Sequence, residues 1–288
     1  MVWFIYVLLG AVFYSARDIF SKKILQKEYS LELLLGSYFI ITLISFFFPH
    51  SWNISLWEGY LILLRSLAFA SAMFFITKAI HHLELSVVSP LLNSSPLILL
   101  FLSSLFMPEP INLITILGIV LIVIGTYFLE VHNNYLKVFS HIKEFSNKYS
   151  FYVFIGLIFI SISALLAKKI LFTVQKETFL FYSALFTFLY FLMFFIIQKR
   201  SFKQVFHDYH RDSWQIILVG FFGFLFFYLY YSAISYPGAL ITLIIPLLRT
   251  STLFTVILGG RLFHEDYLIH KIFATIILII GATLIVIS

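Results

Sequence analysis

The sequence predicts an all-α integral membrane protein with ten transmembrane helices, arranged as two inverted five-helix repeats. Three observations predict this fold: a low charge content, ten apolar windows of spanning length, and a shift that aligns one half with the other. Of the 288 residues, 61% are hydrophobic and only 11% are charged. The mean hydropathy is +1.02. A soluble domain carries about 25% charged residues because its surface faces water. The low charge therefore indicates that lipid covers the exterior.

The composition also excludes several classes of site. The chain contains no cysteine, which excludes disulfides, thiolate metal ligands and cysteine nucleophiles. The net charge is +6, but the basic residues are scattered over short loops, which is typical of membrane topology rather than of nucleic-acid binding. We therefore predict no nucleic-acid partner, no metal and no cofactor. Residues 1–21 lack a basic leader and a small-residue cleavage site, so we expect them to form the first span.

Ten windows meet the requirement of about 20 mostly apolar residues for crossing a bilayer. They lie at about 3–21, 32–48, 58–79, 86–106, 112–131, 151–168, 178–197, 214–234, 239–259 and 267–287. Runs such as Leu113–Ile124 do not alternate between apolar and polar residues, so helices are predicted rather than strands.

Two longer connections have apolar residues at helical spacing between lysines or arginines, as in surface-lying amphipathic segments. The first, within 132–150, divides a first repeat at 1–131 from a second at 151–288. The second connection is 198–213. Most loop Lys and Arg fall on the side that carries the odd-numbered loops, which predicts that both termini lie outside the cytoplasm. The Phe-, Ile- and Lys-rich usage suggests an AT-rich microbial genome, so we expect the bacterial cytoplasmic membrane.

The internal repeat is the strongest organisational signal. A shift of 156 residues places the segment 86–131 on 242–287 without a gap. The aligned pairs include Pro90 with Pro246, Ser95 with Ser251, Glu109 with Glu265 and Gly125 with Gly281. A shift of 146 places Lys22-Lys23 on Lys168-Lys169. Because each repeat has an odd number of spans, the second starts on the opposite face, and inverted repeats are typical of alternating-access transporters.

The order of these landmarks resembles the EamA unit of the drug/metabolite transporter superfamily. The first helix contains small and polar residues, and the third ends in Lys78-Ala79-Ile80. The fourth helix contains proline and is followed by an acidic residue, and the fifth helix contains glycine. The resemblance implies a ten-helix transporter with a central cavity between helices 1–4 and 6–9, and with helices 5 and 10 peripheral. It implies no enzymatic activity.

Ionisable residues inside spans are costly, so each is a candidate functional residue. Arg249 lies near the middle of span nine, three residues after Pro246, and its repeat equivalent is Asn93. Interrupted helices at matching places in both halves are a pointer to a substrate site. Arg65 lies about two turns into span three, where it either binds substrate or pairs with Glu58. For Arg249 the alternative is a structural ion pair.

The first helix supplies a polar face to the same predicted site. Asp18 is expected to carry a proton, bind a cation or neutralise one of the two arginines. Tyrosines such as Tyr228 offer rings for stacking or for holding a cation. The predicted substrate-binding residues are Arg249, Asn93, Ser94, Arg65, Tyr14, Ser15 and Tyr228.

The excess of arginine over carboxylate inside the spans predicts a transporter of a small polar metabolite with an anionic group, such as an amino acid, a nucleotide-like metabolite or an organic anion. One alternative is import or export of an amphipathic or cationic metabolite through Asp18 and the aromatics. A membrane enzyme using His207 and Asp212, or a receptor that transports nothing, are further alternatives. Expected partners are the substrate, the bilayer, and a coupling proton or counter-substrate; the chain is expected to be a monomer or a homodimer.

Two glutamates and two glycines are predicted to act structurally. Glu109 and Glu265 precede spans five and ten, where each carboxylate would complement the N-terminal dipole of the helix that follows it. Gly118 and Gly125 are seven residues apart on one helix face, which predicts a close helix contact.

Overall fold

The computed structural model describes residues 2–25, 30–80, 82, 91–107, 109–130, 148–198, 213–254 and 268–287. These residues form ten helices and no strand, which confirms the predicted fold class. In chain order the helices are α1 (Val2–Leu25), α2 (Ser30–Phe46), α3 (Leu56–Ile80), α4 (Ser95–Phe106), α5 (Leu113–Glu130), α6 (Lys148–Ile170), α7 (Lys176–Ile197), α8 (Ser213–Ile234), α9 (Ile241–Leu248) and α10 (Leu268–Ile287).

Each helix corresponds to one of the ten predicted spans. Five of them, α1, α3, α6, α7 and α8, contain stretches that are long and apolar enough to cross a membrane. Shorter apolar helical stretches cover 31–46, 91–106, 113–128, 241–254 and 273–287. The predicted surface segments are mostly outside the described residues; only 148–150 of the first are described, and they begin α6.

The helices group into two compact units, each built from both halves of the sequence. The first contains residues 1–70 and 166–237, and the second contains 71–165 and 238–288. In the first unit, α1 packs along α8, and α2 packs between α7 and α8. In the second unit, α5 packs along α10, and α9 contacts α4 and α5. The duplicated helices therefore pack mainly against helices from the opposite half.

Glycines permit the tight contact between α5 and α10. A Cβ atom added to Gly281 would lie 2.8 Å from the carbonyl oxygen of Gly118 and 2.9 Å from the backbone nitrogen of Ile122. A Cβ on Gly125 would lie 3.0 Å from the backbone nitrogen of Leu278. Because backbone atoms cannot rotate away, the helices approach this closely only through glycine. The close contact predicted from Gly118 and Gly125 is confirmed.

Replacing Gly281 with alanine should destabilise the second unit. The added methyl group forces α5 and α10 apart, and overpacking of this kind costs about 1–3 kcal/mol. Thermal unfolding of the purified protein in detergent should show a lower Tm. The matched control is Gly59→Ala, whose added Cβ meets only the Ile54 Cδ1 atom at 3.5 Å. An unchanged Tm for Gly281→Ala would show that the two helices can separate without cost.

Candidate functional site

Helix α9 is interrupted at the position that the sequence indicated. It ends at Leu248, residues Arg249 and Thr250 form a turn, and residues 251–254 are helical again. Across the turn, the backbone N–H of Arg249 donates to the Pro246 carbonyl at 2.9 Å, and that of Thr250 donates to the Leu247 carbonyl at 3.1 Å. These bonds span three residues rather than four, so the chain tightens locally into a 3₁₀ turn.

The helical segment that leads into α4 is interrupted at the equivalent position of the first repeat. Residues 91–93 are helical, Ser94 forms a turn, and α4 begins at Ser95 with Pro96 in its first turn. The N–H of Ser94 donates to the Leu91 carbonyl at 3.1 Å. The shift of 156 residues places Ser94 on Thr250, so the two breaks coincide. Pro96 lacks the N–H that would continue the helical ladder across the first break, whereas Pro246 lies inside α9, before the second break.

The two interrupted segments are joined by Arg249. Its guanidinium Nη2 donates to the hydroxyl oxygen of Ser95, which is buried at the start of α4. Asn93, the repeat equivalent of Arg249, is also buried. Arg249 itself is only half-buried, and it forms no ion pair with any carboxylate in the described part of the chain. The alternative of a structural ion pair therefore finds no support among these residues.

Glu109 holds the start of α9. Its carboxylate accepts hydrogen bonds from the backbone N–H of Ile241 at 2.9 Å, from that of Thr242 at 3.0 Å, and from the Thr242 hydroxyl. The prediction that Glu109 complements the helix following it was wrong. Helix α5 is instead capped by Asn112, whose Oδ1 accepts from the Thr115 N–H at 2.8 Å. Folding placed the first-repeat carboxylate at the N-terminus of a second-repeat helix, where it complements unpaired N–H groups. Glu265 lies outside the described residues.

A second arginine is buried in the other unit. Arg65 donates from Nη1 to the Ser183 hydroxyl at 2.6 Å and from Nη2 to the Tyr231 hydroxyl at 2.8 Å. Only 4% of its surface is exposed. The guanidinium carbon also lies 5.1 to 5.7 Å from the ring centroids of Phe69, Phe179 and Tyr231. Three aromatic faces and two neutral hydroxyls thus surround the charge, and no described carboxylate pairs with it.

The alternative pairing of Arg65 with Glu58 was wrong. Glu58 Oε2 accepts from the Ser55 N–H at 3.1 Å and from the Ser55 hydroxyl at 2.7 Å. The Glu58 N–H in turn donates to the Ser55 hydroxyl oxygen at 3.2 Å, which completes a capping box at the start of α3. The carboxylate is therefore engaged at its own helix terminus.

The remaining predicted residues belong to the same unit as Arg65. Tyr14 packs edge-on against Phe226, with ring centroids 4.9 Å apart, Ser15 is fully buried, and Asp18 is half-buried on α1. Tyr228 carries the ammonium of Lys176 over its ring, 4.6 Å from the centroid. That ammonium also donates to the Ser232 hydroxyl at 3.0 Å.

The predicted site residues thus fall into two sets. Arg249, Asn93 and Ser94 lie in the second unit. Arg65, Tyr14, Ser15, Asp18 and Tyr228 lie in the first. His207 and Asp212, the candidate enzyme residues, lie outside the described residues. Within the described ranges, no group of His, Asp and Glu side chains is suited to hold a metal ion.

Sequence reasoning missed Ser183 and Phe179 as partners of Arg65, and it missed Lys176 as the partner of Tyr228. One signal for Ser183 was present, because the shift of 146 residues places it on Ser37, another buried serine inside a span. Nothing in the spacing of Phe179 or Lys176 distinguishes them from the many other aromatic and basic residues.

Comparison with known proteins places this arrangement in a family. The sequence matches the model of the EamA-like transporter family over residues 1–131 and 147–287. It matches no curated protein. One crystal structure, described only as that of a protein, superposes with a TM-score of 0.74 at 13% sequence identity. The superposition covers 98% of this chain and 97% of the other, so the two share a fold.

Replacing Glu109 with alanine should destabilise the protein more than removal of a surface carboxylate. The N–H groups of Ile241 and Thr242 lose their acceptor, and loss of a helix cap costs about 1–2 kcal/mol. The control is Glu177→Ala, which removes a partly exposed carboxylate from the first turn of α7, where it pairs with Lys176, 3.7 Å away. Such pairs contribute about 0–1 kcal/mol. Equal Tm values for the two variants in detergent would contradict the capping role.

Proposed function

This chain belongs to the EamA-like transporter family, whose members move small solutes across membranes, and we propose that it carries a small polar metabolite with an anionic group by alternating access. The protein is therefore an integral membrane transporter. To this family assignment the proposal adds a substrate class, a transport mechanism, and the bacterial cytoplasmic membrane as the location of the protein. Amino acids, nucleotide-like metabolites and small organic anions all carry a suitable group.

One observation carries the substrate class: both Arg65 and Arg249 lie inside predicted spans, and among the described residues they donate to neutral hydroxyls alone. A charged group in a low-dielectric bundle is costly unless it is hydrogen-bonded or paired. Hydroxyls and rings satisfy part of this need, but they leave the positive charge uncancelled. An anionic substrate cancels it, and a guanidinium matches carboxylate or phosphate geometry in two parallel hydrogen bonds.

Arg249 is the primary substrate-binding residue in this proposal. It is half-buried, and a single hydroxyl engages its guanidinium among the described residues, so most of its donors remain for a ligand. Asn93 and Ser94, at the matching break of the other repeat, are proposed to bind the substrate through their amide and hydroxyl groups. Within the first unit, Arg65, Tyr14, Ser15 and Tyr228 are proposed as further substrate-binding residues.

The contacts of the tyrosines argue against the alternative of a cationic substrate. The ring of Tyr228 already holds Lys176, and the ring of Tyr231 already holds Arg65. Aromatic faces that stabilise the protein's own cations are poorly suited to attract another, because like charges repel in a medium of low dielectric.

The substrate class is tested by thermal unfolding of the purified protein with a metabolite panel matched in size but differing in charge. We expect the stabilising compounds to carry a carboxylate or phosphate. A ligand at about 100 times its Kd stabilises the folded state by about 2.7 kcal/mol, which raises Tm measurably. Arg249→Ala should lose this stabilisation and also uptake in proteoliposomes.

The control is Lys169→Gln, which removes one positive charge from an exposed position at the end of α6. It should keep both stabilisation and uptake. Stabilisation by cationic or neutral compounds, or uptake that survives Arg249→Ala with the protein still folded, would contradict the proposal.

Asp18 is proposed as the coupling or counter-ion residue. If it carries the coupling proton, Asp18→Asn should abolish accumulation driven by a pH gradient but keep exchange of labelled for unlabelled substrate. If it is a counter-ion instead, both activities should fall. Uptake into proteoliposomes with and without a pH gradient separates the two roles. Unchanged accumulation driven by the gradient excludes Asp18 from coupling.

A further inference from the structure

Thr250 makes a double contact at the break in α9. Both its backbone N–H and its side-chain hydroxyl donate to the carbonyl oxygen of Leu247, at 3.1 Å and 2.7 Å. The carbonyl therefore receives two hydrogen bonds from one residue three positions later. Side-chain hydroxyls that bond back to the preceding turn are known to bend helices.

The same contact occurs at the equivalent position of the first repeat. The N–H and the hydroxyl of Ser94 donate to the Leu91 carbonyl at 3.1 Å and 2.6 Å. Thr252, two residues after Thr250, makes the same double contact with the carbonyl of Arg249, at 3.1 Å and 2.8 Å. By contrast, Thr283 in the uninterrupted α10 bonds to the carbonyl four residues earlier. In these examples, the double contact occurs beside a break in a helix.

The contact has a direct consequence for Arg249, the residue immediately before Thr250. A 3₁₀ turn advances about 120° per residue, whereas an α-helix advances about 100°. The direction of the Arg249 side chain therefore depends on whether the turn is retained. If the hydroxyl of Thr250 is removed, one of the two bonds that fix the turn is lost. The helical ladder can then re-form and turn the guanidinium away from Ser95.

We propose that Thr250 is a positioning residue for Arg249, and that its hydroxyl keeps the break in α9 tight so that the guanidinium points at the substrate site. The proposal rests on the proposed function, because it assigns Arg249 to an anionic substrate. Ser94 is the counterpart of Thr250 in the first repeat. At equivalent positions of the two repeats, a hydroxyl residue is thus bound to the carbonyl three residues earlier. This repetition favours a common role over a chance arrangement.

The test exploits the absence of cysteine, which makes any introduced cysteine the single reactive thiol. Ile245 is a suitable reporter position, because it lies one turn before Arg249 on the same face and is half-buried. Arginine side chains in helices lean towards the N-terminus, and hence towards this position. The probes are sulfonatoethyl methanethiosulfonate, an anion, and trimethylammonioethyl methanethiosulfonate, a cation. The measured quantity is the ratio of their rates of reaction at low salt.

In the Ile245→Cys protein, we expect the anion to react faster relative to the cation than it does with a free thiol. Arg249→Gln should lower the ratio by about fivefold or more, because a nearby unit charge attracts one probe and repels the other. Thr250→Val keeps the shape of the side chain but removes the hydroxyl, and it should lower the ratio by about threefold, since the charge is displaced rather than deleted. Thr250→Ser restores the hydroxyl and should return the ratio to the starting value.

Thr283→Val is the matched control, because it removes a similar back-bonded hydroxyl from the same unit and should leave the ratio unchanged. A purely structural role of Thr250 would lower Tm without altering the ratio. If Thr250→Val keeps the ratio while Arg249→Gln lowers it, the positioning role is overturned and the proposed function stands. If Arg249→Gln leaves the ratio unchanged, or if neither probe modifies the cysteine, the positioning role is overturned as well, and the metabolite panel decides the proposed function separately.

Discussion

The other features of this protein depend on one constraint: guanidinium charge is buried in a helix bundle whose outer surface faces lipid. Arg65 is almost completely buried, yet its described partners are two hydroxyls and three aromatic rings. In the described part of the chain, one hydroxyl contacts the guanidinium of Arg249. Neutral groups solvate a charge but do not cancel it. The helices therefore retain positive charge that the described carboxylates do not neutralise, and the proposed anionic substrate rests on this charge.

Both arginines are held by residues from the opposite half of the sequence. Arg65 belongs to the first repeat, and its partners Ser183 and Tyr231 belong to the second. Arg249 belongs to the second repeat and binds Ser95 of the first. Glu109 likewise reaches across to the start of α9. The two sets of contacts thus depend on both copies of the duplication being folded.

The interrupted helices show how backbone and side chain act together at Arg249. Proline removes a backbone donor near each break, and a hydroxyl residue then satisfies the tightened turn. On its N-terminal side, α9 is fixed by the carboxylate of Glu109. A short helix that is fixed at its start and broken at its end directs the residue at the break with little freedom. This restricts the directions that the Arg249 side chain can take.

The sequence by itself determined the fold class, the two repeats and the positions of the breaks. Apolar span length, the shift of 156 residues and the prolines are local properties, and lipid imposes strict rules on backbone hydrogen bonding. It also identified Arg65 and Arg249, because charge inside a span is rare enough to stand out. Only the tertiary structure decided what these residues contact. Ser183 is 118 residues from Arg65, and Glu109 caps a helix 132 residues later rather than its neighbour. No local pattern encodes such pairings, because they depend on which helices pack together. A serine or glutamate in a chain with many transmembrane helices has many possible partners until the packing of the helices selects one.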